Sequence, residues 1–236
     1  MENKVYSLKK SARLTGLLYL IFVISGIYGI MYVPSKTIVQ GNVVATANQI
    51  LANEFIFRTG IINDIISNTI WVFIALALYR LFKLINERQA KLLVALVVVQ
   101  IPVVFIMEAF NLTSLMLFKG EILKTFQLSQ RQDLAMLFLK INDNITLILE
   151  MFWGLWLIPF GQLVYKSVFI PRILGVFLLL SGIAYIILSF TSLLFPNYAT
   201  IVTHFAMPFL FLGEISIMLW LLIKGVKNNF EDVIEQ

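Results

Sequence analysis

The sequence predicts an all-α integral membrane protein, a bundle of six transmembrane helices, from its composition, its apolar runs and the placement of its basic residues. Of 236 residues, 60% are hydrophobic and 13% are charged, and the mean hydropathy is +0.90. Soluble domains carry about 25% charged residues, so this chain cannot build a wettable surface. It is read as one membrane domain over residues 1–236. The net charge of +5 does not indicate nucleic acid, because the basic residues are dispersed between apolar segments. The absence of cysteine excludes disulfides, haem-thiolate sites and thiol catalysis.

A hydrocarbon core about 30 Å thick takes about 20 helical residues. Six runs reach that length, near residues 14–33, 60–79, 92–112, 144–163, 173–195 and 204–223, leaving a short tail over 224–236. The first run follows Lys9, Lys10 and Arg13 in the manner of a signal peptide, and Ala45-Thr46-Ala47 fits a small-residue cleavage pattern. Its apolar stretch is longer than such peptides carry and the Ala pair lies well beyond it, so it is read as a retained helix.

Orientation follows from the short connections. With the N-terminus inside, the cytoplasmic side receives Lys4, Lys9, Lys10, Arg13, Arg80, Lys83, Arg88, Lys91, Lys166, Arg172, Lys224 and Lys227. The outside receives Lys36, Arg58, Lys119, Lys124 and Arg131, with Lys140 near the outer interface. Twelve against five predicts a cell-membrane protein with both termini cytoplasmic.

Two connections carry structure of their own. Asn42 is a cap for an amphipathic helix in which Val43, Ala47, Ile50, Leu51 and Phe55 recur at helical spacing, with Thr46, Gln49 and Asn53 opposite. It is expected to lie along the outer surface between the first two spans. Ser129 followed by Gln132 has the capping-box pattern, so the fourth helix is expected to begin there, outside the membrane. Pro102, Pro159 and Pro208 are expected to interrupt the third, fourth and sixth helices. A weak internal echo pairs Arg13-x-x-Gly16 and Ser25-Gly26-Ile27 with Arg172-x-x-Gly175 and Ser181-Gly182-Ile183.

The polar residues inside the spans carry the functional question. Lys140-Ile-Asn-Asp143-Asn144-Ile-Thr-Leu-Ile-Leu-Glu150 places Asp143 and Glu150 seven residues apart, on one helical face. Charged side chains at membrane depth cost about 2.5–3.5 kcal/mol each on insertion scales, so they face a protein interior or water. Asp64, Glu108, Glu150 and Glu214 place one acid in each of four helices, with Glu214 nearest the midplane. Asn68 shares a face with Asp64, and Asn111 with Glu108; Asp143, Asn111 and His204 fall near the outer interface. One reading is an acidic, outward-opening cavity that carries protons or binds a small cationic or polar ligand. The other is structural: carboxyls and amides bonded across helices, and Lys140 paired with Asp143. A single histidine cannot build a three-His zinc site, and no metal site or cofactor is predicted. No G-x-S-x-G elbow, P-loop, dinucleotide-binding glycine pattern or H-E-x-x-H is present.

Four motifs add a resemblance. Arg13-x-x-Gly16-Leu-Leu-Tyr19, Ala75-Leu-Ala-Leu-Tyr79-Arg80-Leu, Ile170-Pro171-Arg172-Ile-Leu-Gly175-Val, and Gly213-Glu214 with Trp220-Leu-Leu-Ile-Lys224-Gly225 follow one another across nearly the whole chain. In order and spacing they resemble the domain of unknown function 4386 family of bacterial multi-pass membrane proteins. The resemblance implies the membrane fold and supplies no reaction. Glu214 lies within a matching motif, and Asp64 lies in the helix that ends with another. Glu108, Asp143 and Glu150 rest on the physical argument alone.

The sequence therefore carries three expectations of function. The first is a transporter-like or ligand-binding protein of the bilayer, acting at Asp64, Glu108, Glu150 and Glu214, with a homodimer of six-helix units as its conceivable assembly. The second is an intramembrane enzyme acting on lipid or peptide through carboxylates and His204 around a metal-bound water. The third is an accessory or immunity-type protein whose acids are structural.

Overall fold

A computed structural model describes residues 2–226, and the predicted tail lies outside the described residues from 227 onward. The chain is helical: α1 (Glu2–Ile27), a π-helical turn (Tyr28–Tyr32), α2 (Val33–Thr37), α3 (Val43–Ala52), α4 (Glu54–Phe82), α5 (Glu87–Val98), α6 (Ile101–Lys119), α7 (Leu128–Lys166), α8 (Arg172–Leu194) and α9 (Pro196–Ile223). No strand occurs among the described residues. Among the described residues, six spans are long and apolar enough to cross a membrane: Lys9–Thr37, Glu54–Phe82, Glu87–Lys119, Leu128–Lys166, Arg172–Leu194 and Pro196–Ile223.

Several local expectations are corrected. Asn42 caps α3 by accepting from the Ala45 N–H at 2.9 Å, but Phe55 belongs to α4. Thr46 is buried, because its hydroxyl donates to the Val39 carbonyl and accepts from the Val39 N–H, both at 3.0 Å. The hydroxyl bonds the incoming strand of chain, and the wet face shifts around the helix. At the start of α7 the side chain that reaches back is Gln130, not Gln132: its Oε1 accepts from the Gln127 N–H at 2.9 Å. Glutamine three positions into a helix performs that reach, so the start moves to Leu128.

Proline acts in only one of the three expected places. Val99 and Gln100 form a turn that separates α5 from α6, with Pro102 in the first turn of α6, where its missing N–H costs nothing. Pro159 and Pro208 sit inside the continuous helices α7 and α9. Helices in hydrocarbon tolerate proline because neighbouring groups re-satisfy the freed carbonyl. Likewise α9 begins at Pro196, immediately after Phe195, so His204 lies inside a helix and not at its start.

The backbone packs as two compact units: Met1–Ile21, Ile70–Gln100 and Leu147–Gln236 form one, and Phe22–Thr69 and Ile101–Thr146 form the other. In the first unit small residues set the spacing of helices. A Cβ built on Gly154 would stand 2.5 Å from the Gly182 carbonyl oxygen, and one on Gly175 would stand 2.7 Å from the Gly161 carbonyl oxygen. The two glycines of α7 and the two of α8 are each seven residues apart, so antiparallel helices meet backbone to backbone at both positions. Serine adds polar ties: Ser189 donates to the Leu147 carbonyl at 2.7 Å, and Ser181 accepts from the Gly213 N–H at 3.1 Å. An aromatic column runs through the same unit, with ring centroids 5.5 Å apart for Trp71–Trp156 and Trp156–Phe160 and 5.9 Å for Phe82–Phe160.

The second unit has its own core of Ala47, Ile50, Phe57, Leu115, Leu117, Phe118, Ala135 and Leu139. The Ser114 hydroxyl closes it by donating to the Ala135 carbonyl at 2.6 Å.

Candidate functional site

In the second unit the sequence of α4 and α6 brings two acids together. The carboxyl groups of Asp64 and Glu108 lie within hydrogen-bonding reach of each other. Neither is ion-paired among the described residues, and Glu108 is 5% exposed. Amides complete the surroundings. Asn63 Nδ2 donates to Asp64 Oδ1 at 3.0 Å and to the Ser25 carbonyl at 3.0 Å. Asn111 Nδ2 donates to Glu108 Oε2 at 3.0 Å. Asn142 Nδ2 in turn donates to Asn111 Oδ1 at 2.5 Å and to the Met107 carbonyl at 3.1 Å. The result is a continuous chain, Asp64–Glu108–Asn111–Asn142, drawn from α4, α6 and α7. Two carboxylates offer only acceptor oxygens, so a hydrogen bond between these two acids requires a proton held between them.

The π-helical turn borders this cluster. Gly29 lies so near α4 that a Cβ there would stand 2.5 Å from Asp64 Oδ1. The turn is anchored by the Tyr28 hydroxyl on Thr59 Oγ1 at 2.7 Å and by stacking of Tyr28 on Tyr32 at 5.4 Å. A π turn inserts one residue into an α-helix and is frequent at functional sites. Here it delivers a residue without a side chain to the acid.

The first unit holds the other two acids. Glu214 of α9 faces the Tyr19 hydroxyl of α1, which is fully buried. Tyr185 of α8 lies in the electrostatic field of both Glu214 and Glu150 and packs its ring edge-on against Trp153 at 5.9 Å. The Glu150 Oε2 atom is buried and has no hydrogen-bond partner among the described residues. This second cluster, Glu150, Glu214, Tyr19 and Tyr185, is half aromatic.

The structure thus joins Asp64 with Glu108 and Asn111 in one unit and places Glu150 and Glu214 in the other. Asn68 is half-buried and donates to the Asp64 backbone carbonyl at 2.9 Å, not to its carboxyl. Asp143 is exposed and pairs with Lys140 at 3.4 Å. His204 is exposed, with its ring edge-on to Phe205 at 6.0 Å. Among the described residues, no three His, Asp or Glu side chains gather into a set able to hold a metal ion. Sequence reasoning passed over Asn142, although Ala135, Leu139, Asn142, Thr146 and Leu149 recur at three- and four-residue spacing on α7, and all but half-buried Thr146 are buried. Asp143 is one step round the helix from that stripe, which is why it points away.

The motif residues also find physical roles. Arg13 donates to the Ile223 carbonyl at 3.0 Å and so binds the C-terminal end of α9, where a cation is favoured by the helix dipole. Gly16 lies directly against the backbone of Leu222, and Tyr79 donates to Glu87 Oε1 at 3.3 Å. The proposed repeat does not extend to packing: Gly182 is wedged against α7, whereas a Cβ on Gly26 would meet nothing within 4 Å.

Six membrane-length helices among the described residues, four of them carrying an acid within the span, define a multi-pass α-helical membrane protein. The family model described as domain of unknown function (DUF4386) matches residues 14–225, and the chain belongs to that family. No curated protein and no solved structure matches it.

Proposed function

We propose that this is a transporter-like protein of the bacterial cell membrane in which Asp64 and Glu108 take up and release a proton, exchanging it for a small cationic or polar solute. The observation that carries the reading is the contact between those two carboxyl groups. Structural glue does not require two acids to meet, because an amide against an acid satisfies both partners without a proton. The cost of ionisable groups at membrane depth argues the same way. The twelve-against-five distribution of basic residues supports cytoplasmic termini, which would place the pair in the outer half of the membrane. Glu150 and Glu214, beside two tyrosines, would form a second acidic station, and a homodimer remains the assembly to look for.

The test is infrared difference spectroscopy of the purified full-length protein across pH. A carbonyl band of a protonated carboxyl is expected to vanish as pH rises, and Asp64→Asn and Glu108→Gln are each expected to remove or displace it. A difference spectrum that neither substitution changes would sink the proposal. A second reading, an accessory protein with structural acids, is favoured by the serine and asparagine bonds to backbone carbonyls at Ser114, Ser189 and Asn142. It gains if both variants keep the protein's physiological role.

A further inference from the structure

One end of the first unit gathers positive charge that little on it balances. Phe82, the last residue of α4, packs its ring on Phe160 of α7 at 5.9 Å and on Phe169 of the connection to α8 at 5.8 Å. Gln89, in the first turn of α5, donates its amide to Gln162 Oε1 of α7. Four helix ends therefore meet: the last turns of α4 and α7 and the first turns of α5 and α8. They carry Arg80, Lys83, Arg88, Lys91, Lys166 and Arg172, all exposed, against one acid, Glu87.

Glu87 is already engaged: its Oε1 pairs with Lys91 at 3.0 Å and accepts from the Tyr79 hydroxyl at 3.3 Å. Among the described residues the other five cations have no ion pair. The second unit treats its cations differently, pairing Arg58 with Glu54 at 2.7 Å and Lys119 with Glu54 at 3.2 Å and Glu121 at 2.9 Å. Arg172 is nonetheless held in place, its guanidinium 5.8 Å from the centre of the Tyr165 ring. A guanidinium stacked on a ring keeps the N–H groups along its edge free for a bidentate bond to phosphate.

We infer that this face binds the headgroup of an anionic phospholipid, with its phosphate on Arg172 and Lys166 and the neighbouring cations supplying the attracting field. Two observations select a lipid. Exposed Leu84, Leu92, Val168 and Ile173 stand one or two residues after Lys83, Lys91, Lys166 and Arg172, so the face offers hydrocarbon contact beside its charge. A free phosphate or a polynucleotide would use the charge alone. The cations also lie at the ends of membrane-length spans, at the level of the headgroups, where basic clusters between helices recognise anionic lipid. A second copy of the chain fits poorly, because a two-fold contact would set this face against itself and like charge against like. The inference does not depend on the proton-exchange reading above.

The experiment follows the thermal midpoint of the full-length protein in a mild detergent with added dioleoylphosphatidylglycerol, dioleoylphosphatidylcholine or inorganic phosphate. The midpoint is expected to rise with phosphatidylglycerol alone. Lys166→Gln combined with Arg172→Gln should raise the phosphatidylglycerol concentration for half of that rise by about tenfold or more, whereas Lys124→Gln in the second unit should leave it unchanged. No rise with phosphatidylglycerol, or an equal rise with phosphatidylcholine, overturns the inference. An equal rise with inorganic phosphate overturns it in favour of a free-phosphate site, and a rise that survives the double substitution overturns the placement. Should the double variant fail to fold, Lys166→Gln alone decides by native mass spectrometry in an equimolar mixture of the two lipids. Phosphatidylglycerol adducts should predominate on the unaltered protein and fall in the variant; an unchanged ratio refutes the site.

Discussion

Gly161 and Gly175 pack backbone against backbone: a Cβ on Gly161 would stand 2.9 Å from the Gly175 carbonyl oxygen, and one on Gly175 would stand 2.7 Å from that of Gly161. In hydrocarbon no hydrophobic force holds helices together, so close approach of this kind supplies association through dispersion contacts.

A side chain at that contact must force α7 and α8 apart. Gly175→Val is expected to destabilise the protein by about 1–3 kcal/mol, as overpacking does. Gly26→Ala, at a position where a Cβ meets nothing within 4 Å, should leave the thermal midpoint unchanged. Melting both variants in one detergent is the check, and an equal effect at the two sites would refute the packing argument.

Ser181 tests the polar ties. Its hydroxyl reaches the Phe209 carbonyl of α9 and accepts from the Gly213 N–H. Ser181→Ala is expected to cost about 0.6 kcal/mol, the average for interhelical hydrogen bonds in membranes, and at most about 1.7 kcal/mol. Reversible unfolding in mixed micelles measures it, and a cost near zero would mean that the Gly213 amide finds another acceptor.

Gly29 tests whether the π turn serves the acids. In Gly29→Ala the new methyl would meet Asp64 Oδ1 at 2.5 Å and Asn63 Nδ2 at 3.1 Å. The carboxyl must move, so the infrared band of the Asp64–Glu108 pair is expected to shift although no charge has changed. An unmoved band, with the protein folded, would show that the turn gives way instead.

The six spans were legible because length and apolarity are properties of a segment by itself, and lipid imposes them on every segment alike. Asn42 was legible as a cap for the same reason: its bond is made three residues away. What the sequence left open depends on which way a helix faces. Asp143 and Asn142 are adjacent, equally polar, and on opposite sides of the outcome: one pairs with Lys140 in the open, the other is buried against α6. A single-residue difference is 100° round a helix, and only the buried stripe of neighbouring residues could resolve it. Tyr19 was out of reach in another way, since its partner Glu214 lies 195 positions along the chain. Proline misled because its effect depends on surroundings: Pro102 falls where a helix starts, whereas Pro159 and Pro208 fall where one continues.

The turn at Tyr28–Tyr32 makes the approach of Gly29 to Asp64 depend on a count of residues. A π turn bonds each residue to the fifth one along instead of the fourth, so it absorbs one residue more than an α-helix of the same rise. Removing one residue from it would let the chain run on as plain α-helix over the same rise, but the widened turn that sets Gly29 beside Asp64 would be gone. The approach of backbone to acid is thus set by a count of residues rather than by any particular side chain.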